Sequence, residues 1–253
     1  TARHHPKRAF RVGRRVLALI RHGEYSQPAG VPSAHLPYGL TSDGVARARQ
    51  AAASVALFAR QEQLTVHAVI DCSPLRRAWE TAQLMGQGLD ELERREGSRR
   101  HDCREVIALA ERSVGPLANL SVTAIEAIVR DDPRHASPPP GWKRDIDYRL
   151  PYTGCESLAE AGERVATHLR SCAAELATTQ GGPCQLKLLV GHGGAFRHAA
   201  LHLGLLSREE VAGLSMEYGT PIYFEVDSSA GNTDRFVHIA GTWRQRSEAQ
   251  PVD

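Results

Sequence analysis

Val16-Leu17-Ala18-Leu19-Ile20-Arg21-His22-Gly23-Glu24 joins a short, unbroken apolar run to a histidine–glycine turn. Leu186-Lys187-Leu188-Leu189-Val190 ends in a similar way, on Gly191-His192-Gly193. Short runs rich in Leu, Val and Ile that stop at a glycine read as buried strands of a parallel sheet meeting a loop. Open α/β sheets bind ligands just outside the carboxyl ends of their strands. Both histidines are therefore expected to face one crevice.

Further runs extend the same pattern. Val66 to Asp71 reads as another strand, and Cys72-Ser73-Pro74-Leu75-Arg76-Arg77-Ala78 at its end carries an arginine pair towards the same crevice. Thr41 to Arg60 places Val45, Ala48, Ala52, Val55 and Ala59 at helical spacing. Ser73 is the expected N-cap of a helix that starts at Pro74 and runs to about Gly86. Ser157 to Thr178 carries a stripe from Leu158 to Leu176, and Ser157 with Glu160 fits a capping box. Pro221 to Val226 and Arg235 to Ala240 read as two more strands. The order predicts a three-layer α/β/α sandwich, with a mostly parallel, doubly wound sheet and helices on both faces.

Two stretches break the periodicity. Gln87 to Arg104 is dense in charge and reads as a solvated helix end and loop, while Asp131 to Thr153 holds five prolines and reads as an inserted loop, either a lid or a static surface segment. The expected organisation is a basic arm over 1–15, one catalytic domain over 16–243 and a tail over 244–253.

Composition narrows the function classes. A formal charge of +2 gives no global electrostatic case for a nucleic-acid or membrane partner. Five cysteines without a CxxC pair favour reduced thiols in a cytoplasmic protein over a disulfide framework. The arm carries Arg3, Lys7, Arg8, Arg11, Arg14 and Arg15, but the apolar run that follows is too short for a signal peptide. No metal or cofactor is expected, because the remaining histidines show no metal-ligand spacing.

Arg21, His22, the Arg76-Arg77 pair and His192 together suit a dianion. Guanidinium forks match phosphate oxygens, and helix N-termini after such loops add partial positive charge. A neutral imidazole is a competent nucleophile at phosphorus, and a second, protonated one would neutralise the transferring oxygens.

Arg21-His22-Gly23-Glu24, SPLRRAWETA (Ser73–Ala82), LAERSVG (Leu109–Gly115) and VGHGGAFR (Val190–Arg197) resemble, in order, the motifs of the histidine phosphatase superfamily. SPPP (Ser137–Pro140), LPYTGCESL (Leu150–Leu158) and GTPIYFEVD (Gly219–Asp227) are similar to landmarks of its phosphoglycerate-mutase-like branch. The resemblance implies that His22 becomes phosphohistidine, that Arg21, Arg77, His192 and Gly193 hold the phosphoryl group, and that Glu111 is the general acid/base. The chain departs from the mutase pattern at Pro28, at Val114 and at Asp131-Asp132, which replaces a double arginine expected to grip the substrate. The leading expectation is a phosphatase for a small phosphorylated metabolite. A mutase, a phosphoprotein phosphatase and a silent phosphate-binding module remain as alternatives, and a homodimer is possible.

Overall fold

The computed structural model describes residues 13–32, 35–92, 100–177, 184–227 and 235–246. In chain order its elements are β1 (Arg15–Arg21), α1 (Ser42–Glu62), β2 (Thr65–Val66), β3 (Val69–Cys72), α2 (Arg76–Leu92), β4 (Asp102–Glu105), α3 (Val122–Asp131), α4 (Leu158–Ala177), β5 (Gln185–Gly191), α5 (Gly193–His202), α6 (Arg208–Gly213), β6 (Leu214–Ser215), β7 (Pro221–Asp227), β8 (Arg235–Ala240) and β9 (Arg244–Gln245).

Alternate residues of β1 serve two cores. Val16, Ala18 and Ile20 pack with Val55 of α1 and Met85 of α2. Leu17 and Leu19 pack with Val165 and Leu169 of α4 and Phe196 of α5. A strand covered on both faces must be apolar at every position, which accounts for the unbroken run. Among the described residues the main sheet runs β4-β3-β5-β1-β7-β8, with β2 pairing on β5. The pairs β4–β3, β3–β5 and β5–β1 are parallel. The pairs β1–β7 and β7–β8 are antiparallel.

Helix starts follow local chemistry. The Thr41 side chain accepts from the Gly44 N–H at 3.1 Å, and the expected Ser157–Glu160 capping box forms with distances of 2.7 and 3.0 Å. Each such cap contributes about 1 kcal/mol. Where α4 crosses α5, a Cβ at Gly162 would lie 2.6 Å from the His198 carbonyl carbon and 2.8 Å from its oxygen. Gly162→Ala is expected to destabilise by about 1–3 kcal/mol, because displaced α5 backbone outweighs the roughly 1 kcal/mol gain in helix propensity. Thermal unfolding of that variant measures the balance.

Several expectations need correction. The second helix begins at Arg76, two residues after Pro74, and extends past Gly86 to Leu92. Residues 93–99 of the charged stretch lie outside the described residues. Asp102–Glu105, expected as loop, pairs in parallel with β3 as an edge strand; its charged side chains suit an exposed edge. The arm over residues 1–12 also lies outside the described residues, whereas Arg15 belongs to β1 and donates from Nη1 to the Ala173 carbonyl at 2.7 Å. The segment ahead of residue 131 forms α3, capped by Ser121. Residues 132–153 are irregular as expected, yet they are packed. Trp142 and Leu150 are buried with Ile125 and Val129 of α3 in a small core of their own, and the Trp142 Nε1–H donates to Glu126 at 2.9 Å.

One polar cluster supports the sheet from within. Fully buried Asp71 accepts from Lys187 Nζ at 2.8 Å, from Arg104 at 2.9 and 2.8 Å, and from His168 Nε2 at 2.9 Å. Cys172 completes a group whose Asp, His and Cys ligand atoms lie within 4.8 Å of one another, a proximity that sequence spacing did not reveal. Lys187 and Arg104 already saturate the carboxylate, so the cluster works as an ion-pair hub joining β3, β4, β5 and α4. None of the five cysteines is in a disulfide, and burial pushes the Cys72 and Cys172 thiols up to about 12. No helix among the described residues is long and apolar enough to cross a membrane.

Candidate active site

Strand register builds the site. β1 and β5 pair in parallel with Arg21 opposite Gly191, so His22 and His192 each stand one residue beyond the same rung. Their rings lie 5.0 Å apart between centroids. β3 joins the same end with Cys72 opposite Val190, which delivers Ser73 and, as the second residue of α2, Arg77. The two imidazoles and an arginine are therefore brought together at one end of the sheet. Gly193 leaves room for the close approach of Arg21, whose Cδ would sit 3.2 Å from a Cβ at that position.

Hydrogen-bond partners define both imidazole tautomers. His22 Nδ1 lies 2.7 Å from the Gly23 carbonyl, which only accepts, so Nδ1 carries the hydrogen. Nε2 then keeps its lone pair, and it accepts from Arg77 Nε at 3.1 Å. His192 Nδ1 is 3.2 Å from Arg77 Nη2, which only donates, so the His192 hydrogen is on Nε2 and points at Ser73 Oγ, 2.8 Å away. Both rings are neutral in this arrangement.

Electrostatics agree. Burial first, then Arg77 and Arg21, holds His22 well below the ordinary histidine range. Burial, Arg77, His22 and Arg21 do the same to His192. The expectation of a protonated second imidazole is thus corrected for the free site. Two neighbouring guanidinium groups make a third positive charge costly until an anion arrives. In an NMR titration, the ring signals assigned through His22→Ala and His192→Ala are expected to show midpoints well below 6.5; a midpoint at or above that value would contradict this geometry.

The other predicted residues gather at the same end. Arg21 donates from Nη1 to the Met216 carbonyl at 3.0 Å and stacks on Tyr218 at 3.9 Å. Buried Glu111 lies against the first turn of α5, where a Cβ on Gly194 would meet its carboxylate oxygens at 3.0 and 3.1 Å. Its neighbour in sequence Glu105 is exposed on β4. Arg76, the other member of the arginine pair, points to solvent and pairs with Glu80 at 2.7 Å. Glu24 orders the loop through its backbone, whose carbonyl accepts from the Thr41 N–H at 3.0 Å.

Several contributors escaped the sequence reading. Ser73, expected as a helix cap, accepts from the Leu75 N–H at 3.2 Å and is also the hydrogen-bond partner of His192. Thr81 accepts from the Gly23 N–H at 2.9 Å and so ties the His22 loop to α2. Tyr25 meets His22 edge-on at 5.3 Å, and the Arg77 guanidinium sits over the Tyr25 ring at 4.6 Å. Arg112 is buried beside Glu111, whose carboxylate accepts from the Arg112 backbone N–H at 2.9 Å; its guanidinium lies 5.7 Å from the Trp142 ring, and no carboxylate among the described residues hydrogen-bonds that guanidinium. Its position inside LAERSVG was the available signal. Tyr218 had none, because it reaches the site through an isolated bridge to Arg21.

Comparisons with known proteins agree with this architecture. The 2,3-bisphosphoglycerate-dependent phosphoglycerate mutase of Parvibaculum lavamentivorans is 29% identical over 221 residues, covering 85% of this chain and 92% of its own. That of Cutibacterium acnes is 28% identical over 235 residues, covering 84% and 87%. Among solved structures, a mycobacterial glucosyl-3-phosphoglycerate phosphatase superposes with a TM-score of 0.63 at 22% identity, covering 92% of this chain and 97% of its own. The alpha-ribazole phosphatase from Shigella flexneri gives 0.61 at 20%, covering 88% and 95%. The model of the histidine phosphatase superfamily, branch 1, matches residues 17–237. With most of the chain inside that match, this protein belongs to branch 1 of the histidine phosphatase superfamily.

Proposed function

We propose that the chain is a metal-independent phosphatase that moves the phosphoryl group of a small phosphorylated metabolite to Nε2 of His22 and then to water. In the first step the Nε2 lone pair attacks phosphorus, the ester P–O bond breaks, and the Glu111 carboxyl group gives its proton to the departing oxygen. In the second step the Glu111 carboxylate takes a proton from water, the hydroxide attacks phosphorus, and the P–N bond breaks to release phosphate. Arg77 turns its Nε–H from His22 to a phosphoryl oxygen as the substrate enters, and Arg21 and the α5 N-terminus carry the remaining charge. His192 is neutral in the free site, and the incoming dianion favours its protonation.

The observation that carries hydrolysis over transfer lies at residues 131 and 132. The mutase resemblance calls for two arginines there. In their place Asp131 pairs with Arg130 at 3.1 Å and Asp132 with Arg134 at 2.7 Å. The argument rests on the missing cations, since each carboxylate already has an arginine partner. A second reading, phosphoglycerate mutase-type transfer, has its own support in Arg112, a buried cation able to accept a second anionic group, and in the names of the curated relatives.

Phosphate release from a panel of phosphorylated metabolites and phenyl phosphate in EDTA, with bisphosphate-stimulated interconversion of 2- and 3-phosphoglycerate in parallel, separates the two. Release that exceeds interconversion is the expected result. The reverse order establishes the mutase.

A further inference from the structure

His35 sits on the loop between β1 and α1 and has no role in the phosphoryl chemistry described above. Its loop is pinned over the site, because Arg77 Nη1 donates to the carbonyl of the next residue, Leu36, at 3.1 Å, and the Leu36 side chain is buried. The charges of Arg77, Glu156, Arg164 and Glu111 all reach the His35 ring. It also acts on His192. Its Nε2 is buried and has no hydrogen-bond partner among the described residues. A buried, unsatisfied ring nitrogen is costly, and such a group beside a reaction centre calls for a ligand atom.

We infer that His35 is a specificity-determining residue whose Nε2 hydrogen-bonds a hydroxyl on the alcohol half of the substrate. The inference rests on the phosphatase reading and narrows its substrate class to hydroxylated alkyl phosphates, such as polyol or sugar phosphates. Burial, followed by Arg77, lowers the affinity of His35 for a proton. The ring is thus neutral near pH 7 and able either to donate to or accept from a hydroxyl. Phosphoryl oxygens are already served by Arg21, Arg77 and His192. A site built to pair with a hydroxyl discriminates strongly against analogues that lack it.

The test compares sn-glycerol 3-phosphate, which bears hydroxyls, with phenyl phosphate, which bears none. The ratio of their kcat/KM values is expected to fall about 10-fold or more in His35→Ala. His35→Gln, which keeps a donor and an acceptor, is expected to restore most of the ratio, with the loss concentrated in KM. Affinities of the same two ligands for His22→Ala and His22→Ala/His35→Ala, measured by calorimetry, give a readout that needs no turnover. An unchanged ratio in both experiments overturns the inference, as does a loss that glutamine leaves uncorrected. If the wild-type chain releases no phosphate at all, the phosphatase reading fails, and the binding ratio still decides the role of His35.

Discussion

His22→Ala is expected to lower phosphate release by about 10⁴-fold or more, the scale of removing a covalent nucleophile. The large effect follows from how singular this atom is. Of the two imidazoles in the crevice, only His22 has an unprotonated nitrogen on Nε2; the corresponding nitrogen of His192 carries its hydrogen and spends it on Ser73. Arg77 keeps the His22 lone pair directed, through the 3.1 Å bond from its Nε. Alanine removes both the nucleophile and the acceptor of that bond. Rapid quenching of the wild-type chain with a radiolabelled phosphoester should trap an acid-labile, base-stable phosphoenzyme, and the variant should trap none. Substantial turnover in His22→Ala, with thermal unfolding close to wild type, would overturn the phosphohistidine route. Loss of the label with retained fold supports it.

Asp71→Ala is expected to carry the largest stability cost, about 3–5 kcal/mol, which is the range for breaking a buried ion pair from one side. For a chain of this size that corresponds to a fall in Tm on the order of 10 °C. Lys187 is the reason. Its ammonium is almost entirely buried and rests on Asp71 at 2.8 Å, with the Val69 carbonyl at 2.8 Å as its other acceptor. Arg104, about half exposed, loses much less. Lys187→Met/Asp71→Leu should recover part of the loss, because an apolar pair removes the uncompensated charge.

The same hub makes a pH statement. Burial of Asp71 works against its ionisation, yet the hydrogen bonds from His168, Arg104 and Lys187 prevail and hold the carboxyl far below the ordinary carboxylate range. A depressed folded-state pKa means that the contribution is complete above the unfolded value of about 4 and is lost as pH falls towards the folded one. The stability gap between wild type and Asp71→Asn should therefore be steady near neutrality and narrow in acid below about pH 4. Urea titrations across that range measure it, and a gap that widens in acid would show that Asp71 is not ionised in the fold.

Much of the architecture was legible because it rests on local regularities. Leu17 and Leu19 alternate with Val16, Ala18 and Ile20, and a strand apolar on both faces can lie only between two helical layers. The N-cap of α4 was readable for the same reason, since Ser157 satisfies a helix N–H group within three residues of itself. β4 was not readable: Asp102-Cys103-Arg104-Glu105 lacks an apolar pattern, and it becomes a strand only because β3 offers an open edge.

The sequence by itself determined the three layers, the strand ends that carry Arg21, His22 and His192, and, through its motifs, Arg77 and Glu111. Those facts depend on periodicity and on residues adjacent in the chain. Only the tertiary structure decided the protonation of the two imidazoles, the choice of Ser73 as partner to His192, the approach of Tyr218, the unpaired nitrogen of His35 and the charge hub at Asp71. Each of these depends on burial and on contacts between segments far apart in sequence, here 119 residues for Ser73 and His192 and 116 for Asp71 and Lys187. A side chain's charge state follows from the dielectric and the partners that folding supplies, and no local pattern encodes them.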